Sequence, residues 1–83
     1  MSAVDTVRRV LDTHAKLKNP AGTLTDEDNL YAAGMTSHAS VNVMLAVEDA
    51  FDIEFPDALL TKSTFCSIRA ISTAVEGLLE AAA

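Results

Sequence analysis

The sequence predicts an all-α protein, a four-helix bundle of three main helices and one short helix around an aliphatic core. Three observations lead there. Apolar residues recur three and four positions apart in three separate segments, the period of an amphipathic helix. Those segments are divided by Asn19-Pro20, by Gly34 and by the 52–57 stretch around Pro56, which interrupt the periodicity. Finally, 49 % of the 83 residues are hydrophobic but only 5 % are aromatic, so aliphatic side chains must fill the core. The length suits one domain spanning 1–83, near the lower end of what folds unaided. It leaves little volume for both a core and a deep enzymatic cleft.

The first helix is expected over 2–18. Val4, Val7, Leu11 and either His14 or Ala15 form its stripe, continued by Leu17, with Val10 beside Leu11. Ser2 can cap its start, and Lys16 and Lys18 suit the negative end of the helix dipole. A residue before proline is pushed out of the α region, so Asn19-Pro20 ends the helix. A long connection then covers 20–36. Its expected anchors are Leu24, Leu30 and Tyr31, with 25–28 capping a short turn and Gly34 turning the chain into the next helix.

The second helix is expected over 37–51, with Val43, Val47, Ala50 and Phe51 on its core face. Val41, Met44 and Leu45 are more apolar side chains than one seam needs. Either the long connection covers them or they meet a partner. A short helix is expected over 57–60. The last helix starts near Ser63 or Thr64, either of which can cap it. Its stripe is Phe65, Ile68, Ile71 or Ser72, Val75, then Leu78 and Leu79. Gly77 weakens this helix and the alanine tail over 81–83 should fray.

The net charge of −6 argues against nucleic acid, which needs a basic stripe, and against anionic membrane surfaces. The early Asp5, Arg8 and Arg9 do not fit a signal peptide, and the uncharged 30–47 stretch is too polar to span a bilayer. A soluble, cytoplasmic chain is expected. Charge is also unevenly spread. Residues 26 to 57 hold eight carboxylates and no Lys or Arg, while all six basic residues lie outside. This acidic half is either a solvated face or a surface that steers a basic partner.

Most chemical constellations are absent. A single cysteine excludes a disulfide framework. His14, His38 and Cys66 lack zinc spacing, and Leu30 occupies what would be the third ligand position of a calcium loop beginning at Asp26. Ser37 and His38 are adjacent, so on a helix they point about 100° apart and do not pair as nucleophile and base. What remains is Gly34-Met35-Thr36-Ser37-His38-Ala39-Ser40-Val41. The residues alone allow a structural reading of this run: Gly34 turns the chain, and Thr36 or Ser37 caps the second helix.

Over nearly its whole length, however, the sequence resembles the acyl carrier protein family. The family's Gly-x-Asp-Ser-Leu is matched by Gly34-Met35-Thr36-Ser37-His38, and its Phe-Asp-Ile-x-Ile-Pro by Phe51-Asp52-Ile53-Glu54-Phe55-Pro56. Counting back from Phe51 places Ser37, not Ser40, on the family's modified serine. The resemblance implies the acyl-carrier-protein-like four-helix bundle. It also implies 4'-phosphopantetheine attached to Ser37 as a phosphodiester from coenzyme A by a phosphopantetheinyl transferase. A phosphate there would meet unpaired N–H groups and the positive end of the helix dipole. The domain itself would catalyse nothing.

Thr36 replaces the family's acid before the serine, and Ala39 and Asn42 replace two positions that are commonly acidic in fatty-acid carriers. The run from Tyr31 to Val41 instead resembles the bacterial aminoacyl carrier proteins. Those are charged by stand-alone amino acid:[carrier protein] ligases, truncated homologues of class II seryl-tRNA synthetases. The implied cargo is an amino acid, held as a thioester after transfer from an aminoacyl adenylate. Docking is expected at Thr36, His38, Val41, Leu45, Glu48 and Asp57, of which His38, Val41 and Leu45, with the short helix, flank the arm. A monomer that binds its enzymes fleetingly is expected. The alternatives are a carrier for fatty-acid, polyketide or nonribosomal peptide synthesis, or an unmodified helical interaction domain.

Overall fold

The computed structural model describes residues 3–15 and 24–82. Four α-helices follow in order: α1, Ala3–His14; α2, Ser37–Phe51; α3, Lys62–Phe65; and α4, Ile68–Ala82. A single 3-10 turn, Asp57–Leu59, lies between α2 and α3. Among the described residues there is no strand.

Helical periodicity brings the apolar stripes together. α1 packs against both α2 and α4, and α3 packs onto α4. Val7, Leu11 and Ala15 meet Val43 and Val47 of α2 and Ile68, Ile71 and Val75 of α4 in one buried cluster. The expected stripes are therefore present, with two differences. Ala50 is exposed rather than on the core face, and Ala39 takes a buried place one turn before Val43. Leu79 is exposed while Leu78 is half-buried. The proposed Ser2 cap, Leu17, Lys16, Lys18 and the Asn19-Pro20 stop lie outside the described residues.

The second half of the chain corrects the sequence reading. The expected short helix at 57–60 is only the 3-10 turn. The expected last helix is two helices. Thr61 caps α3, its hydroxyl accepting from the Thr64 N–H at 3.3 Å, and Ser67 then accepts from the Ala70 N–H at 3.0 Å at the start of α4. Neither Ser63 nor Thr64 is the cap. Phe65 sits three residues before Ile68, so the apolar stripe runs on unbroken through the corner. Phe65 packs edge-to-face on Phe55 at 5.4 Å, and both rings are buried. This aromatic contact closes the core beneath the 52–61 connection.

The 24–36 connection is held from three sides. Leu30 is fully buried, and its N–H donates to Cys66 O at 2.7 Å. The Arg69 N–H donates to Asp26 O at 2.9 Å. Side chains add charge: Arg8 donates to Leu24 O at 2.8 Å and pairs with Asp26 at 2.7 Å, while Arg69 pairs with Glu27 at 2.6 Å. The connection thus joins α1 to the start of α4.

Candidate functional site

The approach to Ser37 is built locally. Asn29, rather than 25–28, caps the single turn that precedes it; its Oδ1 accepts from Tyr31 N–H at 2.9 Å and Ala32 N–H at 3.3 Å. That turn ends at Gly34, whose φ of 118° is open to glycine and disfavours a side chain. The Gly34 N–H donates to Tyr31 O and the Met35 N–H to Leu30 O, the paired bonds of a Schellman ending. Leu30 and Met35 at its two ends are both buried, which completes that motif's apolar contact. The chain is therefore fixed immediately before α2.

Two hydroxyls compete for the cap of α2, and the structure assigns it to Thr36. Its Oγ1 accepts from the Ala39 N–H at 3.0 Å, and its backbone is extended at φ −85° and ψ 167°. Ser37 becomes the first helical residue, with an exposed side chain. No acidic residue occupies the first turn of α2, so no carboxylate of that turn already meets the positive end of its dipole.

Ser37, Val41 and Leu45 recur four positions apart and so share one row on the α2 surface. Val41 is 50 % exposed and Leu45 is 54 % exposed, so the long connection does not cover them. Beside this row lies an open groove of about 320 Å³. Ser37, Ser40, Val41 and Met44 line it from α2, Leu60, Thr61, Lys62 and Phe65 from the opposite side, and Tyr31 from the connection. Among the described residues, Lys62 is the one charged residue in that lining. Its Nζ stands 5.3 Å from the centre of the Tyr31 ring, a cation–π contact of about 0.5–1 kcal/mol at an exposed site.

The remaining expected docking residues divide. His38 is exposed next to Ser37, and Asp57 is exposed on the 3-10 turn. Glu48 is half-buried, and its carboxylate accepts from the Phe55 N–H at 2.8 Å. It thereby ties the connection after α2 back onto that helix. The neighbouring Asp52 adopts a left-handed conformation, φ 54°, where the helix ends. The acidic half is also narrower than the sequence suggests. Asp26 and Glu27 are engaged by Arg8 and Arg69, and Asp28 accepts from the Thr25 N–H. The acids left outward-facing around α2 are Asp49, Asp52, Glu54 and Asp57. Among the described residues, no group of three or more His, Cys, Asp or Glu side chains is placed to hold a metal ion. Nor is any helix among them long and apolar enough to cross a membrane.

Residues 4–75 match the family model described as a phosphopantetheine attachment site. The chain belongs to that carrier family. An aminoacyl carrier protein of Agrobacterium fabrum is 49 % identical over 75 residues, covering 90 % of each chain. A carrier protein from Agrobacterium tumefaciens, crystallised with an engineered Bradyrhizobium japonicum glycine:[carrier protein] ligase and AMP, superposes with a TM-score of 0.86. It is 49 % identical, over 88 % of this chain and 97 % of that one. The glycylated carrier protein bound to the Bradyrhizobium japonicum ligase gives a TM-score of 0.74 at 26 % identity, over 87 % and 96 % of the two chains.

The carrier family's prosthetic group fits the residues present. An exposed hydroxyl stands at the dipole's positive end, an apolar groove opens beside it, and one cation lines that groove. The expected short helix reaches the groove at Leu60, but sequence reasoning missed Thr61 and Lys62 on the same wall, and Tyr31 at its end. Thr61 three residues before Thr64 was a readable capping signal for α3. The pairing of Lys62 with Tyr31, 31 positions apart, had no local signal.

Proposed function

We propose that this chain is a non-catalytic aminoacyl carrier protein that bears 4'-phosphopantetheine on Ser37. One observation carries the assignment to this serine: Thr36 supplies the helix cap, so the Ser37 hydroxyl is exposed at the first residue of α2 and is not needed for capping. A transferase provides the base. The Ser37 oxygen attacks the pantetheine-side phosphorus of coenzyme A, the pyrophosphate P–O bond breaks, and adenosine 3',5'-bisphosphate leaves. The product is a phosphodiester, and the serine proton passes to the transferase. The attached group supplies a thiol that holds an amino acid as a thioester.

The relatives support an amino acid as the cargo, because the glycylated protein and the ligase-bound protein are both carriers of this fold. In this reading the chain serves as a monomeric shuttle for a stand-alone amino acid:[carrier protein] ligase. The open row of Val41 and Leu45, with His38 and Thr36 at its Ser37 end and Asp57 on the 3-10 turn, is the docking surface. Glu48 acts there by holding the Phe55 segment in place.

Intact mass after incubation with coenzyme A and a broad-specificity phosphopantetheinyl transferase tests the assignment. Wild type should gain one phosphopantetheine group and Ser37→Ala none. A gain retained by Ser37→Ala would move the site elsewhere. The modified protein should then gain the mass of one amino acid when given ATP, that amino acid and a glycine:[carrier protein]-type ligase. Loading instead by fatty-acyl or polyketide acyl transfer enzymes would replace the aminoacyl reading with an acyl one.

A further inference from the structure

We propose that Lys62 is the counter-charge for the phosphodiester on Ser37 and a positioning residue that lays the base of the prosthetic arm along the α2–α3 groove. The inference rests on the attachment at Ser37 proposed above. A phosphodiester keeps one negative charge at neutral pH, whereas this chain carries a net charge of −6. The α2 dipole favours a phosphate at Ser37, and a nearby cation further offsets the repulsion of the acidic surface.

Lys62 is the cation the structure offers. It lines the same groove as Ser37, facing it from α3, and among the described residues no other charged side chain lines that groove. The arginines among the described residues, Arg8, Arg9 and Arg69, do not line that groove. Arg8 and Arg69 hold Asp26 and Glu27 on the connection. No ion pair within 4.0 Å engages Lys62 among the described residues; its partner is the Tyr31 ring. That contact restrains the flexible four-carbon stem without neutralising the ammonium. The charge is thus held at the groove and remains available to an anion. The walls beyond it, Val41, Met44, Leu60 and Phe65, are apolar and suit the methyl-bearing part of the arm that follows the phosphate.

The test compares the apo and modified forms of wild type, Lys62→Gln and Lys62→Arg by NMR, after intact mass has shown the modification. In wild type, modification should shift the Lys62 side-chain signals. Cross-peaks should join the arm's geminal methyls to Tyr31 and Val41, and should fade as salt is raised. Lys62→Gln should lose those cross-peaks while circular dichroism shows the fold intact, and Lys62→Arg should keep them. Wild-type Lys62 signals that do not move on modification overturn the proposal. So do cross-peaks that survive unchanged in Lys62→Gln. If wild type gains no mass at all, the attachment at Ser37 has failed first, and the two failures are told apart. If Lys62→Gln is not modified, the wild-type Lys62 shift and its salt dependence decide.

Discussion

Two connections flank α2, and they are built in opposite ways. The segment over 24–36 is pinned by buried Leu30 and Met35, one backbone bond to Cys66 at the α3–α4 corner and one to Arg69 of α4, and ion pairs from Arg8 and Arg69. The segment over 52–61 buries Phe55 and donates to Glu48 from the Ile53 and Phe55 N–H groups, then leaves Pro56, Asp57, Ala58 and Leu60 exposed. One is fastened along its length and delivers Ser37 at a fixed place. The other is fastened at its start and presents side chains to the groove. The difference teaches that positioning the serine and presenting a surface are separate tasks, assigned to separate connections.

Removing the apolar pin should have the largest effect on stability. Leu30→Ala empties a fully buried site and should cost about 2–5 kcal/mol in denaturant unfolding. It should also weaken modification, because the turn that leads into Ser37 loses its anchor. A cost below that of an exposed substitution would show that the connection is not held through Leu30.

The next effect is smaller and local to the site. Thr36→Ala removes the α2 cap and should cost about 0.5–2 kcal/mol, whereas Ser37→Ala should leave stability nearly unchanged. Thermal or urea unfolding of the two variants side by side checks the assignment. The reverse order would return Ser37 to a capping role and weaken the case that its hydroxyl is set aside for modification.

Charge is the weakest of the three fastenings. Asp26→Asn should cost only about 0.2–1 kcal/mol, since its pairs are partly solvated. Its signature is salt dependence. Raising salt should speed hydrogen exchange at the Leu30 and Arg69 amides in wild type, and should matter less in Asp26→Asn. Equal salt response in both proteins would mean that the backbone bonds hold the connection without help from charge.

How far all this was legible from sequence follows the same division. The stripes of α1, α2 and α4 are local patterns of period 3.6, so Val7, Leu11, Val43, Val47, Ile68, Ile71 and Val75 were readable as core. The corner at Cys66-Ser67 was hidden because Phe65 keeps the stripe of α4 in register across it. The short helix expected at 57–60 is present as the 3-10 helix Asp57–Leu59, whereas α3, capped by Thr61, reads in the sequence as the start of the last helix. Contacts distant in sequence left no local trace. Arg69 reaches Glu27 across 42 positions, so a stretch that reads as uniformly acidic is partly neutralised in the fold. The motif around Ser37 singles that residue out in the sequence; the groove has no such signal, because it draws on three separated segments.

The smallest effect on stability should come from the exposed side of the comparison, where it is also most informative. Leu45 is 54 % exposed and Leu60 is 44 % exposed, so Leu45→Ser and Leu60→Ser should each shift stability by no more than about 0.5 kcal/mol. If the open face is where a ligase docks, these substitutions remove apolar area from the contact while the fold stays intact. Loading at limiting carrier concentration should then fall for both, through a higher KM with kcat little changed, since docking rather than chemistry is impaired. Leu79 is similarly exposed, at 39 %, on α4 and is absent from the groove lining, so Leu79→Ser serves as the control and should load normally. A loss at Leu79 equal to that at Leu45 would place docking on another face. A loss at Leu45 alone would confine it to the row that Ser37 shares with Val41, and would leave the 52–61 connection with the groove as its sole task.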